Sequence, residues 1–305
     1  MTKSTIRKDK LFYSNSYSTK MNDPTANSLL RVAVGQLTSV NSKEKNFEVC
    51  KSLVEAAVEK QAKILCLPEN FAFCSGGVHQ FESRDNAELI NGETISKYRA
   101  LAAQNKIWLS LGGFHEKIEN DPEHIYNTHL IIDDNGEIRQ TYHKMHLFDV
   151  DIPSKGVKMK ESTVVLPGDQ IATCDSPVGV LGLSICYDLR FPELYSSLRK
   201  LGAQILLVPS AFMKRTGEAH WHILLRARAI ENQCYVIAAA QTGQHHSKRD
   251  SYGHSIIISP WGDIVAELSN NETGIITADI DTSLIDTTRQ NMPVFEHRKT
   301  QLYKI

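Results

Sequence analysis

Three residues that are far apart in the sequence have the types and positions needed for nucleophilic catalysis. Glu69 directly follows the apolar segment AKILCLP, and Cys186 ends the apolar segment VLGLSIC. Both segments predict strands, and an open α/β sheet carries its functional groups beyond the carboxyl ends of its strands. A thiol placed there could act as a nucleophile, with the backbone N–H of Tyr187 as an oxyanion donor. Lys144 follows the segment EIRQTY among apolar and aromatic residues, which favours an inward-pointing ammonium group.

Each position also has an ordinary structural interpretation. An acid after a strand is often a helix cap, a cysteine that closes a buried strand is usually part of the core, and most loop lysines are solvated. Other catalytic signatures are missing, because the sequence has no GxGxxG after a strand, no GxxxxGK[ST] and no GxSxG. The pairs Gly76-Gly77 and Gly112-Gly113 are typical of turns or strand ends.

The twelve histidines do not form a recognisable metal-binding pattern. Close pairs occur, but there is no HExxH and no mixture of Cys and His at zinc spacing; the pairs are His143/His146, His220/His222 and His245/His246. We therefore predict no metal and no cofactor.

Composition excludes several classes of protein. The 305 residues have 41% hydrophobic and 23% charged side chains, which is ordinary for a globular chain. A net charge of −1 gives no reason to expect nucleic acid or a membrane as partner, and no apolar run approaches the roughly 20 residues of a membrane helix. Six cysteines without a CxxC pair argue against a zinc ribbon or a thioredoxin-like site and suggest a reducing compartment.

The hydrophobic pattern predicts alternating strands and helices in one domain, residues 30–295, followed by a tail, 296–305. The strands are expected at 31–38, 62–68, 107–114, 126–133, 137–142, 178–186, 203–210, 234–241, 251–259, 263–269 and 274–281, and the helices at about 42–61, 94–105, 192–202 and 217–233. Hairpin turns are predicted at Asn135-Gly136, Pro260–Asp263 and Asn270-Asn271. Such mixing implies a mixed sheet or two packed sheets within an α/β fold.

Residues 1–29 differ from the rest of the chain, being basic, serine-containing and poor in acids. That composition is typical of a mitochondrial transit peptide and equally of a flexible extension. Met21 could serve as an internal start. We expect a cytoplasmic protein, with a mitochondrial form if the extension is a transit peptide.

The three candidate residues lie in segments that resemble the nitrilase superfamily of carbon–nitrogen hydrolases. LPEN contains Glu69, HKMHLFDVDIP contains Lys144 and CYDLRFPEL contains Cys186, in the order and approximate spacing of that family. The resemblance extends over residues 31–295. True nitrilases more often follow the nucleophile with Trp-Glu, whereas this chain has Tyr187-Asp188, which argues against nitriles as substrates.

The resemblance implies a four-layer α-β-β-α sandwich that pairs through a helical face into a homodimer or a larger homo-oligomer. It also implies a second glutamate near the lysine, for which Glu161 is the best match. In the implied reaction Glu69 is the general base, Cys186 forms a thioester, and Lys144 with the Tyr187 N–H stabilises the oxyanion. Glu161 would orient Lys144 or the water.

The expected substrate is a small anionic amide. The C-terminal part of the chain resembles the branch of the family that cleaves deaminated glutathione, the α-keto analogue of glutathione, to 2-oxoglutarate and Cys-Gly. Basic residues that could pair with substrate carboxylates are Arg190, Lys214, Arg215, Lys248 and Arg249.

Three alternatives stay open. One is an ω-amidase that acts on α-ketoglutaramate. Another is a papain-like hydrolase in which a histidine such as His254 is the base. The last is a catalytically silent interaction protein on the same fold.

Overall fold

The computed structural model describes residues 30–79, 81–152, 157–269 and 271–302. Strands and helices alternate through these residues. The strands are Arg31–Leu37 (β1), Ile64–Leu67 (β2), Trp108–Ile118 (β3), Asp121–Ile132 (β4), Ile138–His143 (β5), Asp149–Ile152 (β6), Val157–Lys160 (β7), Thr173–Ser176 (β8), Gly179–Leu183 (β9), Ile205–Leu207 (β10), Tyr235–Ala238 (β11), Ala240–His246 (β12), Arg249–Tyr252 (β13), Ile256–Ile258 (β14), Ile264–Glu267 (β15) and Gly274–Asp279 (β16). The helices are Lys43–Glu59 (α1), Glu82–Asp85 (α2), Glu93–Asn105 (α3), Pro192–Lys200 (α4), Lys214–Asn232 (α5) and Thr282–Asn291 (α6). The predicted extension at residues 1–29 lies outside the described residues.

Two mixed sheets form the centre of the fold. The first has the order β13-β12-β1-β2-β3-β4-β5, with β16 also paired to β1. The second has the order β15-β14-β11-β10-β9-β8, and β6 pairs with β7 in a separate ribbon. Strands β1, β2 and β3 run parallel to one another, as do β9, β10 and β11, whereas the hairpin strands are antiparallel.

The alternation of side chains along β1 shows how the layers stack. Val32 and Val34 pack into the hydrophobic core that contains the second sheet and residues of α4 and α5. Ala33, between them, packs into a different core with residues of α1 and α3. Because successive strand residues point to opposite faces, the order of layers is helices, sheet, sheet, helices. The four-layer α-β-β-α sandwich predicted from the sequence is confirmed.

The helix ends follow local sequence signals. Ser42 caps α1 and its side chain accepts a hydrogen bond from the N–H of Lys45. Pro192 begins α4, where its missing N–H costs nothing. After α4 the chain turns at Gly202, which has φ +93°. None of the helices in the described part of the chain is long and apolar enough to span a membrane.

Two predicted strands are each divided between the sheets. The prediction of one strand at 234–241 is wrong, because β11 lies in the second sheet and β12 in the first. The prediction at 251–259 is wrong in the same way, since β13 and β14 lie in different sheets. Both faces of these segments are largely buried, so hydrophobicity does not mark the crossing. The second crossing is made by Gly253 and His254, whose φ angles are +76° and +61°.

The hairpin predicted around Asn271 is also wrong. Strand β15 pairs with β14 in the second sheet, whereas β16 pairs with β1 in the first. The polar residues between them therefore mark another crossing between the sheets. Asn270 itself lies outside the described residues.

Helix α5 begins earlier than predicted, at Lys214. Glycine, which occupies the predicted first position 217, is unfavourable in helix interiors. In the structure a Cβ on Gly217 would lie 2.3 Å from Cβ of Tyr252, so close packing accounts for the glycine. Lys214 and Arg215, predicted to follow a strand in a loop, therefore lie in the first turn of α5.

Candidate active site

Glu69, Lys144 and Cys186 converge at one cavity between the two sheets. Glu69 lies two residues beyond β2, Lys144 follows the end of β5, and Cys186 lies three residues beyond β9. All three line a cavity of about 540 Å³. The structure also places Glu161 in this cavity, in a short 3₁₀ helix at Glu161–Thr163.

Lys144 is held between two carboxylates. Its Nζ donates hydrogen bonds of 3.0 Å to Oε1 of Glu69 and of 3.0 Å to each carboxylate oxygen of Glu161. The residue is only 2% exposed. Burial by itself lowers the pKa of Lys144, but the negative charges of Glu161 and Glu69 outweigh it and hold that pKa well above the ordinary value. The ammonium group therefore stays charged at neutral pH.

Glu69 is an ionised carboxylate in a buried position. Besides Lys144, the side-chain amide of Asn127 donates to Oε1 at 3.0 Å and the N–H of Ala211 donates to Oε2 at 3.0 Å. Burial raises the pKa of Glu69, but Lys144 and a hydrogen bond from the Cys186 thiol more than compensate and leave it below its usual value. A carboxylate in this state can accept a proton.

The second glutamate is fixed as firmly as the first. The N–H of Phe148 donates to Oε2 of Glu161 at 2.6 Å. The side chain of Asn127 also reaches Oε1 of Glu161, at 3.4 Å, so that one amide contacts both glutamates. These contacts hold the Glu161 carboxylate against Lys144.

Cys186 has a backbone conformation that is unusual for a residue with a side chain. Its φ is +47°, in the left-handed region, and its N–H donates to the carbonyl of Pro209 at 2.9 Å. The prediction that Cys186 ends a strand is wrong, because β9 ends at Leu183 and Cys186 begins the 3₁₀ helix Cys186–Arg190. Strained backbone at a sharp turn is a recurring feature of functional sites.

The thiol of Cys186 is protonated in the resting site. Burial raises its pKa, the charge of Glu69 raises it further, and together they outweigh the opposing effect of Lys144. The resting state is therefore thiol, carboxylate and ammonium. Tyr187 is the second residue of the 3₁₀ helix, where a backbone N–H has no partner within the helix.

The pair Gly112-Gly113 belongs to the site, and the prediction of a turn or strand end is wrong. Both residues lie inside β3, at a bulge between Leu111 and Phe114. A Cβ on Gly112 would lie 1.9 Å from Cβ of Pro209, and a Cβ on Gly113 would lie 2.7 Å from Cγ of Glu69. Only glycines allow β3 to approach Pro209 and Glu69 this closely.

Sequence reasoning missed two polar residues that face the cavity. Asn127 contacts both glutamates, and His115 lines the same cavity from the neighbouring strand β3. Burial lowers the pKa of His115 to about 4, so its ring is neutral at physiological pH. Neither residue had a distinctive signal, because Asn127 is followed by the polar Thr128 and His129 and His115 is followed by the charged Glu116.

A third missed residue, Asp188, connects the loop of Lys144 to the turn of Cys186. Its buried carboxylate accepts hydrogen bonds from the N–H of Ile185 at 2.8 Å and from the hydroxyl of Tyr142 at 2.7 Å. It also accepts from the N–H of His146 at 3.1 Å and contacts Nδ1 of His146 at 2.7 Å. Both carboxylate oxygens of Asp188 therefore accept hydrogen bonds from the segments next to Lys144 and Cys186.

Replacement of Asp188 by asparagine is expected to lower kcat by about 10–100-fold. The amide nitrogen of asparagine would face N–H or O–H donors, and the repulsion would displace the loops that carry Lys144 and Cys186. The free energy of unfolding should fall by about 1–3 kcal/mol, the cost of a buried donor without a partner. Steady-state kinetics and denaturant unfolding measure the two effects. The exposed Asp175, changed to asparagine, is the matched control. An Asp188→Asn variant with normal kcat would contradict a positioning role.

Of the basic residues predicted at the rim, Arg249 is the one that lines the Cys186 cavity among the described residues. Its charge also contributes to the lowered pKa of Glu69. Lys214 and Lys248 line a neighbouring cavity of about 600 Å³, which Arg249 shares. The guanidinium of Arg190 lies over the ring of Tyr187, 5.8 Å from its centroid.

Arg215 is exposed on α5. His254, the alternative base, also lies elsewhere, with its Nδ1 2.6 Å from Oε1 of Glu267. The structure thus places Glu69, and not His254, beside the thiol.

Comparison with known proteins agrees with this geometry. The family described as carbon-nitrogen hydrolase matches residues 31–290. A deaminated glutathione amidase of Dictyostelium discoideum is 66% identical over 282 residues, which cover 92% of this chain and 97% of that protein. The crystal structure of the Caenorhabditis elegans NitFhit protein is 49% identical, with a TM-score of 0.85, and the match covers 92% of this chain and 67% of that one.

A more distant structure is informative about the cysteine. It is a mutant of the amidase from Nesterenkonia sp. AN1, 25% identical with a TM-score of 0.73, and the match covers 92% of this chain and 98% of that one. Its description reports covalent addition of the acetamide moiety of fluoroacetamide at the active site cysteine.

Proposed function

This chain belongs to the carbon–nitrogen hydrolase family and is a hydrolase of carbon–nitrogen bonds, and we propose that Cys186, Glu69 and Lys144 are its catalytic residues. The observation that carries the proposal is the charge arrangement around the thiol. An ionised Glu69 and a charged Lys144 share a hydrogen bond of 3.0 Å at the cavity that Cys186 also lines. The resemblance to the nitrilase superfamily found in the sequence is confirmed.

The reaction begins when the sulfur of Cys186 attacks the amide carbonyl carbon and Glu69 accepts the thiol proton. The electrons of the C=O double bond move to oxygen, where the ammonium group of Lys144 and the N–H of Tyr187 stabilise the negative charge. Each such donor typically contributes about 3–4 kcal/mol to the stability of the transition state.

Collapse of this intermediate breaks the C–N bond, and the departing nitrogen takes its proton from Glu69. A thioester on Cys186 remains. Water then attacks the thioester carbonyl as Glu69 accepts a proton from it. The second collapse breaks the C–S bond and releases the carboxylic acid, and Glu69 returns its proton to the sulfur of Cys186 to restore the thiol. Glu161 holds Lys144 in place through both steps.

The substrate that we propose is a small anionic amide, with deaminated glutathione first. The name of the Dictyostelium relative supports this choice, since 66% identity extends over 92% of the chain. Arg249 is a suitable cation for such a substrate, because it lines the cavity and its charge contributes to the lowered pKa of Glu69. A guanidinium can bind a substrate carboxylate through two parallel hydrogen bonds. The products would be 2-oxoglutarate and Cys-Gly.

Replacement of Arg249 by methionine should lower kcat/KM for deaminated glutathione by about 10–100-fold, the loss of one charge-assisted hydrogen bond. Turnover of a neutral aliphatic amide should change much less, because that substrate has no carboxylate for Arg249 to bind and only the effect of Arg249 on the pKa of Glu69 is lost. The comparison uses both substrates together with α-ketoglutaramate and glutathione, followed by mass spectrometry. Lys248→Met is the matched control, because Lys248 precedes Arg249 in the chain and lines the neighbouring cavity but not the cavity of Cys186.

The outcomes separate the candidates. A wild-type preference for the neutral amide would contradict the anionic substrate. A preference for α-ketoglutaramate would leave the mechanism intact and identify an ω-amidase. Absence of turnover on every amide, with an unreactive Cys186, would favour a silent interaction protein.

We also propose that the protein is a homodimer or a larger homo-oligomer that pairs through the helical face of α5. Ile223 and Ile230 lie seven residues apart on this helix and are 71% and 47% exposed, and Trp261 nearby is 56% exposed. Exposed apolar groups of this kind mark association surfaces. Ile223→Lys should lower the mass measured by light scattering to that of a monomer. The exposed Val78, changed to lysine, should not.

A further inference from the structure

Two histidines and a glutamate converge at a second place in the fold, away from the catalytic cavity. His222 is on α5, His254 lies between β13 and β14, and Glu267 ends β15. Nε2 of His222 lies 2.7 Å and Nδ1 of His254 lies 2.6 Å from the same carboxylate oxygen, Oε1 of Glu267. The mechanism of amide hydrolysis uses none of these residues.

We propose that His222, His254 and Glu267 bind a divalent transition-metal ion of the zinc type. Two imidazoles and one carboxylate are a ligand set that zinc accepts. One potential ligand atom from each residue lies within 4.8 Å of the other two. Bonds of roughly 2.0–2.1 Å at tetrahedral angles would place neighbouring ligand atoms about 3.3 Å apart, so the two short contacts need to open only slightly to admit the ion.

The ring of His254 is held in place by its surroundings. Its backbone adopts φ +61° and its carbonyl accepts a hydrogen bond from Nε1 of Trp221 at 2.8 Å. The ring stacks on Tyr252, with centroids 4.3 Å apart and planes inclined by 24°. A ligand whose orientation is fixed by packing loses little entropy when the ion binds.

Solvent access also favours a bound ion. The three side chains are between 19% and 29% exposed, which gives solvent a route to them. His254 also lines the cavity of about 600 Å³, so water can supply the remaining coordination position.

Sequence separation hid this cluster. Glu267 is 45 residues from His222 and 13 residues from His254, whereas zinc motifs recognised in sequences have closely spaced ligands. The crossing between β13 and β14 brings His254 against Trp221 and His222 in the middle of α5. A bound ion would join α5 to the edge of the second sheet.

The test is calorimetric titration of zinc into the chelator-treated full chain. Because a cysteine thiolate also binds zinc, every protein in the series carries Cys186→Ala. We expect one equivalent to bind, and affinity to fall by at least about a hundredfold in His222→Ala, His254→Asn and Glu267→Gln. Asparagine is chosen at 254 because it tolerates positive φ. His220→Ala, an exposed histidine on the same helix, is the matched control and should bind normally.

A second measurement covers the case in which a variant folds poorly. Cobalt(II) should give the visible spectrum of a four-coordinate site in the parent protein and in His220→Ala, and zinc should raise the Tm of both. Substoichiometric zinc binding by the folded parent protein would overturn the proposal. Equal zinc affinity in the parent and in all three ligand variants would overturn it as well.

Discussion

Replacement of Cys186 by alanine is expected to abolish amide turnover while leaving the fold intact. In the proposed mechanism the sulfur forms the bond to the amide carbon, so no neighbouring group can replace it. Turnover should fall by the factor of about 10⁶ that is typical for removal of a nucleophile. The left-handed φ of +47° strains alanine as it strains cysteine, so stability should change little. Steady-state kinetics and thermal unfolding measure both effects.

The matched control for this variant is Cys174→Ala, which alters a buried cysteine on β8, at the edge of the second sheet. With a slow substrate, mass spectrometry of the quenched wild-type enzyme should locate an acyl group on Cys186. An acyl group found on Cys74 or Cys234 instead would overturn the assignment of the nucleophile. Burial raises the pKa of both of those thiols, to about 11 for Cys234.

Loss of Glu69 or of Lys144 should each lower kcat by at least about a hundredfold, and the two losses should be far from additive. Glu69→Gln keeps the shape but removes the proton acceptor, and Lys144→Met removes the charge that stabilises the oxyanion. Without the base or without the ammonium group, the negative charge on the substrate oxygen develops poorly in the transition state. The remaining residue of the pair then contributes little further stabilisation. Single and double variants measured under saturating substrate give the coupling between them.

The two variants should differ in stability, although their kinetic effects are similar. In Lys144→Met, the carboxylates of Glu69 and Glu161 would face each other without the ammonium group, and breaking a buried ion pair typically costs about 3–5 kcal/mol of unfolding free energy. In Glu69→Gln, Lys144 keeps its two contacts of 3.0 Å with Glu161. Denaturant unfolding should therefore rank Lys144→Met as the less stable variant.

Exposed residues supply the controls, Glu119→Gln and Lys63→Met, which should leave both turnover and stability unchanged. Normal kcat in either Glu69→Gln or Lys144→Met would refute the mechanism. A double variant whose loss equals the product of the single losses would show that the two residues act independently.

The elements that position the catalytic residues were predictable because each has a strong local signal. The apolar run AKILCLP ends directly before Glu69, and the segment EIRQTY ends two residues before Lys144. Hydrophobic periodicity and the Asn135-Gly136 turn are sufficient to find such strands. Family resemblance then added Glu161, whose loop has no regular periodicity.

Other parts of the site depend on contacts between distant segments. Asp188 receives donors from Tyr142 and His146, more than forty positions earlier in the chain. His115 faces the cavity only because the bulge at Gly112-Gly113 changes the register of β3. Neither arrangement follows from the residues adjacent in sequence, and a pattern with period two cannot show where a strand changes sheet.

The position of β1 in the first sheet has a consequence for synthesis of the chain. Its residues 31–36 pair with 274–279 of β16, and its end pairs with β12, so one of its sides is completed by strands from the far end of the domain. When β1 to β5 have left the ribosome, β12 and β16 have not yet been synthesised. The edge of β1 is then unpaired, and an unpaired strand edge promotes association between chains. We expect the nascent polypeptide to need chaperone protection until residue 279 has emerged.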